Sequence, residues 1–311
     1  MSLYLVTGGA GFIGSNIVEE LVNTGEKVRV IDNFITGKRE NLNQVIDKIE
    51  LIEGDILDIK KLKFALKNVD FVLHQAALRS VPRSVEDPVS TNEVNIRGTL
   101  LLLKYAKEAN VKRVVFASSS SIYGDAPELP KKETQLPAPI SPYAVSKITG
   151  EYYCYVYSKI YGLETVCLRY FNVFGPKQDP ASEYAAVIPK FIMCALKDQQ
   201  FEIHGDGLQS RDFSYIDNVV EANILASKAK NVSGEVFNIA CGKSYKLMDI
   251  VNIIKNTLKK DLKYIHTKSR IGDVRHTLAD ISKAQKLLKY KVKTDFKQGM
   301  KKTIAYFKGI V

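Results

Sequence analysis

Two rhythms of apolar and polar positions alternate along the first half of the chain. Short runs rich in β-branched and aromatic residues, Tyr4-Leu5-Val6, Val28-Arg29-Val30-Ile31, Ile49-Glu50-Leu51-Ile52, Phe71-Val72-Leu73 and Val114-Val115-Phe116, have the length and composition of buried strands. Between them, Phe12 to Thr24, Leu57 to Leu66, Asn92 to Ala109 and Tyr143 to Tyr161 read as amphipathic helices, and Glu164 to Arg169 as one more strand. Strands and helices in strict alternation with short connections predict an α/β fold with a doubly wound parallel sheet covered on both faces. After Gly175-Pro176 the rhythm loosens at Pro180, Pro189 and the Gly205-Asp206-Gly207 turn. The expected division is a first domain over residues 1–174 and a smaller C-terminal α/β lobe over 175–311. The helix–strand pair Asp217 to Ala229 and Val236 to Ile239 would return the chain to the sheet near 214–240.

Composition narrows the class. The 311 residues are 45% hydrophobic and 25% charged, as in ordinary globular domains. No apolar run approaches the roughly 18 residues of a spanning helix; Leu100 to Leu103 is closed by Lys104. Leu3-Tyr4-Leu5-Val6 runs directly into Thr7-Gly8-Gly9 with no basic region or cleavage site, which is expected of a cytoplasmic protein without membrane contact. The four cysteines, Cys154, Cys167, Cys194 and Cys241, form no C-x-x-C pair and predict reduced thiols and no metal site. The formal net charge of +11 comes from lysines scattered along the chain rather than from one block. A solvated surface that steers small anions explains it without a nucleic-acid partner.

The candidate chemistry begins where the first strand ends. Gly8-Gly9-Ala10-Gly11-Phe12-Ile13-Gly14 is followed at once by helix. Glycines there permit a tight turn and close approach of a pyrophosphate, and the helix N-terminus supplies amide donors, as in Rossmann dinucleotide sites. Asp32 ends the second strand 18 residues after Gly14, where a carboxylate accepts ribose hydroxyls and repels a 2′-phosphate, favouring NAD over NADP. Further on, Ser118 to Ser121 end a strand, and Tyr143-Ala144-Val145-Ser146-Lys147 open a helix. A spacing of four puts Tyr143 and Lys147 on one helical face. An ammonium there, joined by the positive charge of a nicotinamide, is expected to stabilise a phenolate and lower the tyrosine pKa, making it a general base toward an alcohol.

These segments resemble the extended short-chain dehydrogenase/reductases of the nucleotide-sugar epimerase/dehydratase family. Thr7 to Gly14, Asp32-Asn33, Gly54-Asp55-Ile56, His74 to Ala77, Ser118 to Gly124, Ser141 to Lys147, Leu168 to Gly175, Arg211-Asp212-Phe213 and Gly272 to Arg275 carry the resemblance. Gln75 to Leu78, Ser80 to Ser84, Glu183 to Lys190 and Asp273 to Asp280 are similar to segments of bacterial UDP-N-acetylglucosamine 4-epimerases. The resemblance implies catalytic roles for Ser119, Tyr143 and Lys147. It implies NAD as cofactor, held by Gly8, Gly11, Phe12, Ile13, Gly14, Asp32, Asn33, Asp55, Ile56, Gln75, Ala76, Ala77, Asn95, Tyr143, Lys147, Tyr170 and Val173. A UDP-sugar would be bound by Arg79, Ser80, Ser119, Ser120, Ser121, Tyr143, Asn172, Val187, Ile188, Arg211, Arg270, Asp273 and Thr277, with residues 175–311 as the UDP-sugar lobe. Guanidinium forks at Arg211 and Arg270 also suit a diphosphate on general grounds.

Within the family, dehydratases and decarboxylases place an acidic residue at the positions of Ser120 or Ser121. Hydroxyls there imply reversible C4 epimerisation of UDP-N-acetylglucosamine to UDP-N-acetylgalactosamine, together with UDP-glucose and UDP-galactose, through a transient 4-keto sugar. Arg79 stands where similar epimerases have glycine, which keeps UDP-glucose or UDP-glucuronate 4-epimerisation as the alternative. A catalytically inert NAD sensor or scaffold is the other class, although such relatives tend to lose the base. By the same resemblance Thr277 gates the pocket beside C2, its small side chain admitting an acetamido group. Surplus apolar residues on the helices 92–109 and 143–161, including Leu100, Leu101, Leu103, Tyr152 and Tyr155, predict a twofold homodimer.

Overall fold

The computed structural model describes residues 1–180, 186–268 and 274–310. The first half runs β1 (Leu3–Thr7), α1 (Phe12–Asn23), β2 (Lys27–Asp32), β3 (Ile49–Glu53), α2 (Ile59–Ala65), β4 (Phe71–His74), α3 (Val81–Glu86), α4 (Pro88–Asn92), α5 (Gly98–Glu108), β5 (Arg113–Ser119), α6 (Pro142–Ile160) and β6 (Glu164–Tyr170). The second half runs β7 (Val173–Phe174), α7 (Val187–Leu196), β8 (Phe201–His204), β9 (Ser210–Asp212), β10 (Ser214–Tyr215), α8 (Ile216–Lys228), β11 (Glu235–Ile239), β12 (Ser244–Lys246), α9 (Leu247–Leu258), β13 (Tyr264–Thr267), α10 (Ser282–Leu287) and α11 (Phe296–Lys308).

Seven strands form one parallel sheet in the order β11-β6-β5-β4-β1-β2-β3. Both faces are covered, which is why the strands are nearly continuous apolar runs. Tyr4 and Val6 pack on one side with Ile17 and Leu21 of α1 and Val219 and Ala226 of α8. Leu5 points the other way, into a second core with Leu102 and Leu103 of α5 and Cys154 of α6. Strand order reverses between β1 and β4, so a crevice opens there at the carboxyl ends of the strands.

The helix expected from Asn92 begins earlier. Asp87 accepts from the Ser90 amide and Pro88 occupies the first turn, so helix starts at Pro88 and runs through a π-helical turn, Glu93–Arg97, into α5. That wide turn holds Asn95, which is buried. Ser141 caps α6 by accepting from the Ala144 amide at 3.2 Å, with Pro142 next. Gly150 lets α6 lie tightly on β5: a Cβ there would stand 2.4 Å from Phe116 Cζ.

Beyond β6 the short strands pair in three two-stranded ladders, β10 with β7, β12 with β9 and β13 with β8. An aromatic cluster knits these segments: Phe296 of α11 stacks on Phe213 at 5.3 Å and on Tyr245 at 4.2 Å, with Phe174 edge-on at 5.5 Å. No helix among the described residues is long and apolar enough to cross a membrane.

Candidate active site

The crevice is a cavity of about 360 Å³. Gly8, Gly11, Phe12, Ile13, Gly14, Asp32, Asn33, Asp55, Ile56, Gln75, Ala76, Ala77, Arg79, Tyr143, Lys147 and Tyr170 all line it. Gly8 adopts φ +67°, and a Cβ on Gly14 would come within 2.2 Å of the Gly8 carbonyl oxygen, so the turn cannot close with any side chain at Gly14. No side chain caps α1 at Gly11, which leaves its first amides to the cavity.

Asp32 accepts from the Ala10 amide at 2.9 Å and the Phe34 amide at 2.8 Å. Burial nevertheless pushes its carboxyl above the usual range. Asn33 donates to Asp55 at 2.7 Å, tying the ends of β2 and β3 together. The turn a side chain would fill, the open helix end and the carboxylate at the end of β2 fit a dinucleotide.

Lys147 is 4% exposed, and its Nζ donates to the Ala117 carbonyl at 2.9 Å. Its Nζ stands 5.7 Å from the centre of the Tyr143 ring. Burial draws the Lys147 pKa down to about 8. Lys147 by itself does not lower the Tyr143 pKa. Burial raises the phenol above its ordinary value, while hydrogen bonding with Ser119 and the charge of Arg79, not of Lys147, pull it back.

The serine turn is braced from behind. Ser119 accepts from the Ser121 amide at 3.1 Å, whereas the buried Ser121 Oγ has no partner among the described residues. Ser118 donates to Glu151 of α6, which also receives Arg169 at 2.9 and 2.7 Å; that ion pair is 3–4% exposed. Arg169 continues to the Tyr123 hydroxyl at 2.8 Å, and Tyr123 to Asn238 at 2.7 Å. Ser118, Tyr123 and Arg169 lie in segments that the sequence singled out, but nothing local showed that they meet through Glu151 and Asn238, which are distant in the chain and outside those segments.

Two expected cofactor residues lie elsewhere. Asn95 does not line the cavity; its Oδ1 accepts from the Leu78 amide at 2.8 Å, and its Nδ2 donates to the Leu78 carbonyl and to Ser146, each at 3.0 Å. It therefore ties the backbone at Leu78, which lines the cavity, to Ser146 of α6. Val173 lines a second cavity of about 270 Å³, together with Asn172, Val187, Ile188 and Arg211. Lys190, Phe191, His204, Gln209 and Phe213 also line it. The Arg-Asp-Phe motif pointed to Phe213 and the segment ending at Lys190 to that lysine; nothing local pointed to the other three. Arg211 donates to the carbonyls of Ser210 and Arg275 at 3.0 and 3.1 Å.

Ser80, Ser119, Ser120, Ser121 and Thr277 line neither cavity. Thr277 stands beside Asn172 of the second cavity, its hydroxyl accepting from the Asn172 amide at 3.3 Å and from the Asp212 backbone amide at 3.2 Å. Asp212, fully buried, accepts from the amides of Cys241, Gly242 and Ala279 at 3.0 to 3.2 Å and so holds this corner together. Arg270 and Asp273 lie outside the described residues.

The profile of the NAD dependent epimerase/dehydratase family matches residues 4–240. The structure superposes with a TM-score of 0.95 on a UDP-N-acetylglucosamine 4-epimerase from Methanobrevibacter ruminantium M1 solved with UDP-N-acetylmuramic acid, at 42% identity over 100% of this chain and 99% of that one. It superposes at 0.91 on the Thermus thermophilus UDP-glucose 4-epimerase complexed with NAD, at 37% identity over 99% of this chain and 100% of that one. A UDP-glucuronate 4-epimerase of Thermodesulfobacterium geofontis is 35% identical over 99% of this chain and 97% of its own length.

Proposed function

From a chain that belongs to the NAD-dependent epimerase/dehydratase family, we propose reversible C4 epimerisation of a UDP-hexose, with UDP-N-acetylglucosamine and UDP-N-acetylgalactosamine as the preferred pair and UDP-glucose and UDP-galactose accepted. One observation carries it: Tyr143 and Lys147 share the cavity of the glycine turn and Asp32, and among the described residues no carboxylate stands with them. The lining carboxylates are Asp32 and Asp55, beyond β2 and β3, and Glu151 is locked to Arg169. Elimination or decarboxylation has no acidic group to use there; moving a proton and a hydride at one carbon needs none.

The chemistry NAD supplies when bound is acceptance of a hydride from C4 and its return to the other face of the 4-keto sugar. Tyr143 would take the proton from the 4-hydroxyl and later give it back, with Ser119 sharing that hydrogen bond. Lys147, fixed on the Ala117 carbonyl, would hold the nicotinamide ribose. Asn172 and Arg211, in the second cavity, would anchor the uridine diphosphate, so the sugar can turn while the nucleotide stays. The small Thr277 side chain beside Asn172 would leave room for the N-acetyl group.

The 35% identity to a UDP-glucuronate 4-epimerase and the guanidinium of Arg79 in the cleft favour a second reading, in which the sugar is a uronate. Incubating the purified protein with a panel of UDP-hexoses and no added cofactor tests both: interconversion of the N-acetylhexosamines is expected. No turnover of any hexose would leave only the inert NAD-binding class.

The two-domain division, residues 1–174 with NAD and 175–311 with the UDP-sugar, a reducing cytoplasmic setting and a homodimer belong to the same reading. Helices α3, α4 and α6 pack together and leave Val85, Val89, Tyr152 and Tyr155 more than half exposed, which a twofold partner would cover. Leu103 does not contribute, being fully buried in the core. Light scattering at micromolar concentration should give twice the chain mass.

A further inference from the structure

The catalytic end of the first cavity carries a positive charge that the proposed reaction of a neutral sugar does not use. Arg79, Arg83 and Lys147 all line this cavity, and of the three Arg83 has the Asp87 carboxylate within range of its charge. Lys147 is fixed on a backbone carbonyl. Arg79 is exposed and makes no hydrogen bond or ion pair among the described residues, yet its charge acts on the Tyr143 phenol. Asn95 grips both backbone groups of the preceding Leu78, and the following Ser80 takes φ +114°, outside the range of ordinary L-residues, while its hydroxyl caps the next turn on the Arg83 amide. The backbone on both sides of Arg79 is thus fixed, one side at a conformational cost, and its side chain lines the same cavity as Tyr143.

We propose that Arg79 is a specificity-determining residue that recognises a carboxylate carried by the sugar close to its reacting carbon. The inference rests on the epimerase reading and deepens it. A guanidinium fork matches a carboxylate in shape and charge, and Arg79 shares its cavity with Tyr143, the proposed C4 base. Two sources share that chemistry: the C5 carboxylate of a uronate and an ether-linked carboxylate on O3.

Wild type and Arg79→Gln, purified with the NAD they retain, are compared on UDP-N-acetylglucosamine, UDP-glucuronate and UDP-N-acetylmuramate, with turnover followed by chromatography and binding by calorimetry. Arg79→Gln is expected to reduce the wild-type ratio of acidic to neutral sugar binding tenfold or more, with Arg79→Lys intermediate. A response in the glucuronate arm places the carboxylate at C5, and one in the muramate arm places it on O3. An unchanged ratio overturns the proposal. So does loss of retained NAD with the sugar ratio intact, which would put Arg79 on the dinucleotide. If no sugar is turned over, the epimerase reading fails, while the calorimetric ratio still decides the role of Arg79.

Discussion

The Thr277 hydroxyl accepts a hydrogen bond from the Asn172 side-chain amide at 3.3 Å, joining residues 105 positions apart that sequence reading assigned to sugar size and to the nucleotide. Thr277→Tyr would place a ring against Asn172 in a packed corner. The expected result is loss of UDP-N-acetylhexosamine turnover by about 1000-fold or more, beyond the roughly 1–3 kcal/mol of a missing methylene contact, with UDP-glucose turnover retained. Parallel assays on the two sugar classes check it; equal loss on both would remove Thr277 as the gate.

Tyr143→Phe keeps the ring and removes the hydroxyl. Turnover should fall by about two to four orders of magnitude, the range for a positioned general base, with the fold and bound NAD intact by circular dichroism and absorbance. Because burial raises the free phenol, the wild-type rate should climb with pH over a range that the variant does not show.

Asp32 ties the glycine turn and the end of β2 through two amides, so Asp32→Ala should weaken NAD binding. It should also narrow the preference for NAD over NADP. Calorimetry on apoprotein measures both, and tighter NADP binding by wild type would contradict the assignment.

His74 lies between Thr7 and Thr99, 1% exposed. Thr99 donates to the Asn95 carbonyl at 2.6 Å and so accepts from His74 Nε2–H; Thr7 in turn donates to Nδ1 and accepts from the Ala76 amide. The ring is held neutral, and burial, with the charge of Lys147, lowers its pKa to about 3. The unfolded chain therefore binds a proton below about 6.5 that the folded protein refuses. Stability from this group is complete above that pH and lost on acidification toward 3, at up to about 1.4 kcal/mol per pH unit. Urea titrations at pH 7, 6 and 5 should show a steeper decline for wild type than for His74→Gln.

The sequence by itself determined what depends on neighbours along the chain. Apolar runs that must bury both faces fixed the parallel strands, the Gly8 to Gly14 turn is legible because only glycine closes it, and Tyr143 and Lys147 share a helical face at any tertiary arrangement. The tertiary structure decided the rest. Strands of two to four residues in the second lobe carry no periodicity of their own, so the second cavity, built from five separated segments, had only Asn172, Val173, Val187, Ile188, Arg211 and two motifs to announce it. Asn95 was legible as a site residue but not as the clamp on Leu78, since a π-helical turn sets where it points. The Tyr143 pKa stays above its ordinary value beside Lys147 for the same reason: spacing along a helix says which charges are near, whereas desolvation is set by everything packed around the group, and here burial outweighs the charges.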